Sequence, residues 1–267
     1  MRTQLSMLWG TVSYEFLMQL RRRALWVAMG LLIVLILYLQ RNATFALLFH
    51  LEGWSHVRLS PGDAVVSWAD EINRFLPIAV GILLADRFSR DRQIKTEELL
   101  TTLPAGQGLR LLGKYIGSLC ATLIAPVLYY CLGVGVLLLQ TQSLALLPTA
   151  LFAFLGILLP GMIFVGAFSL TCPAFLWWPL YCFGFTAYWF WGNLLSPRQH
   201  IPTISNTILT PIGGYMSQGF FHIPAYGAAS TAATALQGVE SIVLLLALAS
   251  MALLLTWGLL GWQRSRQ

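Results

Sequence analysis

The sequence predicts an all-α polytopic membrane protein with six transmembrane helices, an N-terminal interfacial helix and re-entrant helices on the outer side between spans 5 and 6. Three observations carry this reading. Of 267 residues, 57% are hydrophobic and only 10% charged, with a mean hydropathy of +0.72, whereas soluble domains carry roughly 25% charge. From Tyr115 to Pro197 the chain contains no Asp, Glu, Lys or Arg, so a water-facing surface there would lack its charged cover. Apolar runs such as Ala24 to Leu39 do not alternate as the strands of a membrane barrel must.

Taken in order, residues 1 to 23 place Leu5, Leu8, Trp9, Val12, Phe16 and Leu20 at helical spacing and end on Arg21-Arg22-Arg23. This is the pattern of an amphipathic helix lying at the membrane surface. The first span follows at about 24–40 and is expected to stay uncleaved, because Tyr38-Leu39-Gln40-Arg41 offers no small-residue cleavage site. Residues 40–67 are polar and mixed in charge, with Pro61-Gly62-Asp63 as a turn. The second span, about 68–88, has little apolar length, since only Phe75 to Ala85 separate Arg74 from Asp86. Asp70, Glu71 and Arg74 then fall in its outer turn, where Asp70 and Arg74 can pair at i and i+4. At its other end Asp86/Arg90, Arg87/Asp91 and Asp91/Lys95 are opposite charges at i and i+4, which carries the helix onward into water.

The third span is expected at about 112–139, the fourth at 147–171, the fifth at 175–195 and the sixth at 240–262. Pro126 lies inside the third and Pro160-Gly161 inside the fourth. Residues 196–239 are almost uncharged and are broken by Pro202, Pro211, Gly213, Gly214 and Pro224. Non-helical backbone at membrane depth survives only when covered, so this segment reads as short re-entrant or interfacial helices capping the bundle. Residues 1–267 thus form a single transmembrane domain.

Charge sets the orientation. Residues 2–23, 87–114 and 264–266 hold twelve of the sixteen basic residues, while Arg41, Arg58, Arg74 and Arg198 fall on the other side. The positive-inside rule then places both termini in the cytoplasm, and the multi-pass chain is expected in the plasma (inner) membrane. It also accounts for the formal charge of +6 without nucleic acid.

Several motifs resolve into ordinary features. Gly108-Leu109-Arg110-Leu111-Leu112-Gly113-Lys114-Tyr115 matches GxxxxGK, but Tyr115 stands where Ser or Thr must hold magnesium, and no strand precedes it. Lys114 reads as an interfacial anchor, and Gly113 and Gly117 as sites of close helix packing. Glu97-Glu98 has Thr102 where CAAX-type membrane proteases carry Arg, and the four His residues, His50, His56, His200 and His222, lie in outer loops. Cys120, Cys131, Cys172 and Cys182 lack CxxC spacing and read as small apolar residues. No catalytic residue and no metal site is expected. In the fifth span, Trp177 and Trp191 lie about 21 Å apart along a helix and read as two interfacial girdles, with a lateral cavity for a greasy substrate as the alternative. The missing charge in spans three to five also removes the midplane ionisable group that ion-coupled transporters use.

The stretch Thr96-Glu97-Glu98-Leu99-Leu100-Thr101-Thr102-Leu103-Pro104, followed by Gly113-Lys114, resembles the first cytoplasmic loop of the ABC-2 type permease family. Thr96, Glu97, Leu99, Leu100, Thr102, Pro104, Gly113 and Lys114 match its pattern, while Lys95 stands where the family often has Gly. The resemblance extends to chain length, six spans and re-entrant helices before the last span. It implies that this loop is a cytoplasmic coupling helix between spans 2 and 3, with Thr96, Glu97, Glu98, Leu99, Leu100, Thr102 and Pro104 as ATPase-coupling residues. It further implies a separate cytoplasmic ATPase subunit holding ATP and Mg, a second permease subunit as homo- or heterodimer partner, and export of a solute or lipid-like compound. The chain itself would bind no cofactor and would not be an enzyme. The competing expectations are a membrane-embedded enzyme acting on lipid or peptide and a non-transporting membrane anchor.

Overall fold

The computed structural model describes residues 2–39, 60–94, 106–195, 203–205, 207–223 and 233–265. Among the described residues all regular structure is helical: α1 (Arg2–Leu20), α2 (Arg23–Leu39), α3 (Pro61–Ile94), α4 (Gln107–Thr141), α5 (Leu146–Ala153), α6 (Leu159–Thr171), α7 (Trp178–Trp189), α8 (Gly214–Phe221) and α9 (Ala235–Ser265). A wide π turn, Phe154–Leu158, joins α5 to α6, and another, Phe190–Leu194, extends α7. Three segments are long and apolar enough to cross a membrane: Gly108–Thr141, Leu146–Ala174 and Ala235–Trp262. They mark a membrane protein. The remaining helices fall short of that standard for identifiable reasons. Arg23–Tyr38 is apolar but shorter, α7 has 12 residues, and α3 carries charge at both ends of its apolar segment.

Helix ends follow local chemistry. Residues 61–63, expected as a turn, instead begin α3. Ser60 Oγ accepts the Asp63 N–H at 3.2 Å and Asp63 Oδ2 accepts the Ser60 N–H at 3.3 Å. This is a reciprocal capping box with Pro61 at the first helical position, where its missing N–H costs nothing. Thr234 and Gln237 repeat the device at the start of α9, so that helix begins at Ala235, five residues before the expected span. α3 likewise starts seven residues before the expected second span, and its run to Ile94 is the continuation expected beyond residue 88.

α3 is the hub of the bundle. It packs against α2, α4, α5, α6, α7 and α8, while α9 lies against α6, α8 and α4. Nearly every described side chain of α3 from Ala64 to Arg87 is buried or half-buried. By contrast, only 17% of the most apolar stretch of α9 is buried, against 61% for the α5–α6 segment. The arrangement suits a bilayer, in which the most apolar helix faces lipid and the polar one is shielded by protein.

α1, expected as an interfacial helix, packs against the bundle. It lies along α4 through Thr11, Val12, Glu15 and Phe16, which meet Gly113 and Gly117; a Cβ at Gly113 would approach Thr11 Cγ2 to 2.7 Å, and one at Gly117 the Val12 carbonyl oxygen to 2.5 Å. The close packing expected of these two glycines is therefore present. Leu5 and Trp9 of the apolar stripe stay largely exposed, while Glu15 and Gln19 are buried.

Candidate functional site

Polar side chains collect at two levels of α3, separated by the eleven apolar residues Phe75 to Ala85. At 1.5 Å per residue that apolar segment spans only about 16 Å, against a hydrocarbon core of about 30 Å. If α3 crosses a bilayer, at least one of the two clusters lies at hydrocarbon depth and must be shielded by neighbouring helices. Both are shielded. Asp70 and Arg74 retain 7% and 9% exposure, and Arg87 retains none.

The cluster around Arg87 ties three helices together. Arg87 forms an ion pair with Glu15 of α1, and Arg22, just after α1, pairs with Asp86 at 2.5 Å. Gln19 lies between them. Its Oε1 accepts from Arg87 and Arg22, each at 3.4 Å, and its Nε2 donates to Thr122 Oγ1 of α4 at 3.4 Å. Asp86 and Arg87 therefore reach across to α1 and its following turn; the side chains of Arg90, Asp91 and Lys95, their expected helical partners, lie outside the described residues. Lys114, expected as an interfacial anchor, is buried at 8% exposure, because α4 begins about two turns before it and α1 covers that flank.

The cluster around Arg74 is built differently. The expected Asp70–Arg74 pair is present at 2.9 Å, and Glu71 lies 3.5 Å from the same guanidinium. These groups do not sit in an outer turn, since α3 starts nine residues before Asp70. Trp68 and Tyr129 of α4 meet in a tilted ring contact with centroids 4.9 Å apart, and Trp68 Nε1 donates to the Tyr130 carbonyl. The Tyr129 hydroxyl, Asp70 Oδ1 and Glu71 Oε1 are buried oxygens without hydrogen-bond partners.

Asn73, on the neighbouring face, was not singled out by the sequence. Its Nδ2 donates to the carbonyls of Ile157, Pro211 and Ile212 at 3.1, 2.8 and 2.7 Å. It thereby pins the α5–α6 π turn and the backbone leading into α8 to the central helix. Two local features prepare these contacts. Pro160, lacking an N–H, follows the wide turn and loosens its carbonyl ladder. Gly213 adopts φ +99, and a Cβ there would come within 2.7 Å of Ile157 Cγ2, so only glycine fits both the left-handed backbone and the contact. On α3 itself Pro77 interrupts the helix, and one residue beyond the freed carbonyl the Arg74 carbonyl accepts Trp189 Nε1 at 2.8 Å.

The aromatic fifth segment divides by face. Tyr181, Phe185 and Trp189, at successive turns of α7, point inward and are buried, whereas Trp177 and Trp191 are exposed at its two ends. The inward three pack ring against ring, Tyr181 stacked on Phe185 and Phe185 tilted against Trp189. Cys120 and Cys131 are exposed, Cys172 and Cys182 half-buried, and all four are free.

The proposed coupling residues, Thr96, Glu97, Glu98, Leu99, Leu100, Thr102 and Pro104, lie outside the described residues, as do His50, His56 and His200. Glu15 and Gln19, like Asn73 and Tyr129, are cluster side chains that sequence reasoning missed. One signal existed: Glu15 is the only carboxylate in residues 1–39. Among the described residues no group of three or more His, Cys, Asp and Glu could hold a metal ion. No protein-family model matches the chain, and neither the curated proteins nor the solved structures contain a significant match.

Proposed function

We propose that the chain is the membrane-spanning permease subunit of an ATP-binding cassette exporter, working with a separate cytoplasmic ATPase subunit and a second permease subunit in the plasma membrane. The observation that carries this reading is the Thr96–Pro104 motif with Gly113-Lys114, placed in the connection between α3 and α4 of an all-helical membrane chain. The packing around that connection supports it. α3 and α4 lie against each other and both are gripped by α1, so a push on the segment between them would move three helices as one body. In this reading α2, α3, α4, α5–α6, α7 and α9 are the six spans, both termini are cytoplasmic, and ATP and Mg act on the partner. Closure of the ATPase dimer drives the loop, and the bundle switches a solute or lipid-like compound from inward to outward access. Residues 96–104 transmit force and perform no chemistry.

The test is co-purification with a candidate ATPase subunit, followed by ATP hydrolysis in lipid nanodiscs for the wild type and the Glu97→Ala/Leu100→Ala double variant. The expected result is a stable complex whose hydrolysis drops at least tenfold in the variant. Full activity and binding in the variant would refute the coupling role.

A further inference from the structure

The two clusters on α3 differ in charge balance, and the imbalance has a chemical consequence. At the Arg74 level two carboxyl groups face one guanidinium. Arg74 offsets one of them, and Asp70 holds the closer position at 2.9 Å against 3.5 Å for Glu71. A second buried carboxylate without its own cation is heavily disfavoured in such surroundings. Among the described residues, the elements packed around the cluster supply no other buried cation at this level, Arg23 of α2 being exposed. α4 beyond Lys114, α5, α6 and α7 contain no charged residue at all, and the described ionisable groups of α8 and α9 nearest in the chain, His222 and Glu240, are exposed. The tyrosine hydroxyls of the surrounding helices are mostly engaged: Tyr130 donates to the Ala150 carbonyl, Tyr115 to the Ile163 carbonyl, and Tyr181 shares a hydrogen bond with Ser169.

Tyr129 is the exception. It is 7% exposed, its hydroxyl has no partner, and its ring packs on that of Trp68, one helical turn before Glu71 on α3. With both carboxyl groups ionised, Asp70 Oδ1 and Glu71 Oε1 can only accept, and the Tyr129 hydroxyl is the one uncommitted donor beside them. One added proton resolves both shortages, since it removes the uncompensated charge and supplies a second O–H donor.

We propose that Asp70, Glu71, Arg74 and Tyr129 form a buried proton-binding site that holds one proton at neutral pH, carried by Glu71. Hydronium gives the proton to Glu71 Oε1 and leaves as water; one O–H bond forms, one breaks, and nothing is oxidised. Glu71 is the carrier because it is the looser partner of Arg74 and the less buried of the two carboxyl groups, at 18% side-chain exposure against 10% for Asp70. A metal cation fits poorly, because it needs several oxygen ligands and would sit against the guanidinium. The site makes any motion of α3 that hydrates Glu71 sensitive to proton concentration. It stands independently of coupling to an ATPase.

The full chain in lipid nanodiscs, followed by infrared difference spectroscopy through a pH titration in choline and in sodium buffers, tests it. The expected result is a carboxylic-acid C=O band present at neutral pH in both salts, lost on alkalinisation, and absent in Glu71→Gln. The band should also vanish in Asp70→Asn, because Glu71 then takes Arg74 as its own ion pair. Absence of the band in wild type at neutral pH overturns the proposal, as does its persistence in both variants. Loss of the band on adding sodium would assign the site to a metal cation instead and equally overturn it. The wild-type spectra decide the matter even where a variant does not fold.

Discussion

The Arg87 and Arg74 clusters occupy the same helix, are similarly buried and use the same residue types, yet they are organised oppositely. At Arg87 the carboxylates come from two different parts of the chain and each is matched to its own guanidinium, Glu15 to Arg87 and Asp86 to Arg22. At Arg74 the charges all come from one helical turn and do not match, two carboxyl groups to one guanidinium. A matched cluster acts as a clamp, since separating the helices exposes two unpaired charges at once. An unmatched one is poised to change its protonation, which suits a site that responds.

The comparison breaks most visibly at Arg87. Replacing it with Met removes the buried Glu15–Arg87 ion pair and is expected to lower stability by about 3–5 kcal/mol, read as the midpoint of unfolding in detergent micelles. The double variant Glu15→Leu/Arg87→Met should recover most of that loss. Additive losses would show that the pair is not a clamp. Asn73→Ala probes the other end, where one amide serves three carbonyls, and should cost about 1–3 kcal/mol while raising protease sensitivity between residues 203 and 223. Gly117→Ala sets a methyl group against α1 backbone and should cost about 1–3 kcal/mol. If α1 stays seated, a cysteine pair placed across the α1–α4 contact will still cross-link in that variant. The smallest effect is expected at Asp86→Asn, whose pair with Arg22 is partly exposed, at about 0–1 kcal/mol and weaker in high salt.

The helical, membrane-embedded character of the chain was legible without coordinates, because composition and an uncharged stretch of this length leave no other way to satisfy the backbone. Helix limits were less so. Pro61-Gly62-Asp63 reads as a turn by residue type, but the Ser60–Asp63 reciprocal bonds turn the same residues into a helix start. The Asp70–Arg74 pair was legible because both partners lie on one helix at fixed spacing. Glu15–Arg87 was not, since no local rule links residues 72 positions apart.

The sequence by itself determined which segments are apolar, how long they run, and that charge must collect at two levels of the second long helix. Tertiary structure decided which helix is central and which polar groups meet. Among the three segments long and apolar enough to cross a membrane, the most apolar, in α9, is the least buried, whereas the charge-bearing α3 sits at the centre of the bundle: charge in a bilayer survives only inside protein, so the helix carrying it is drawn to the middle.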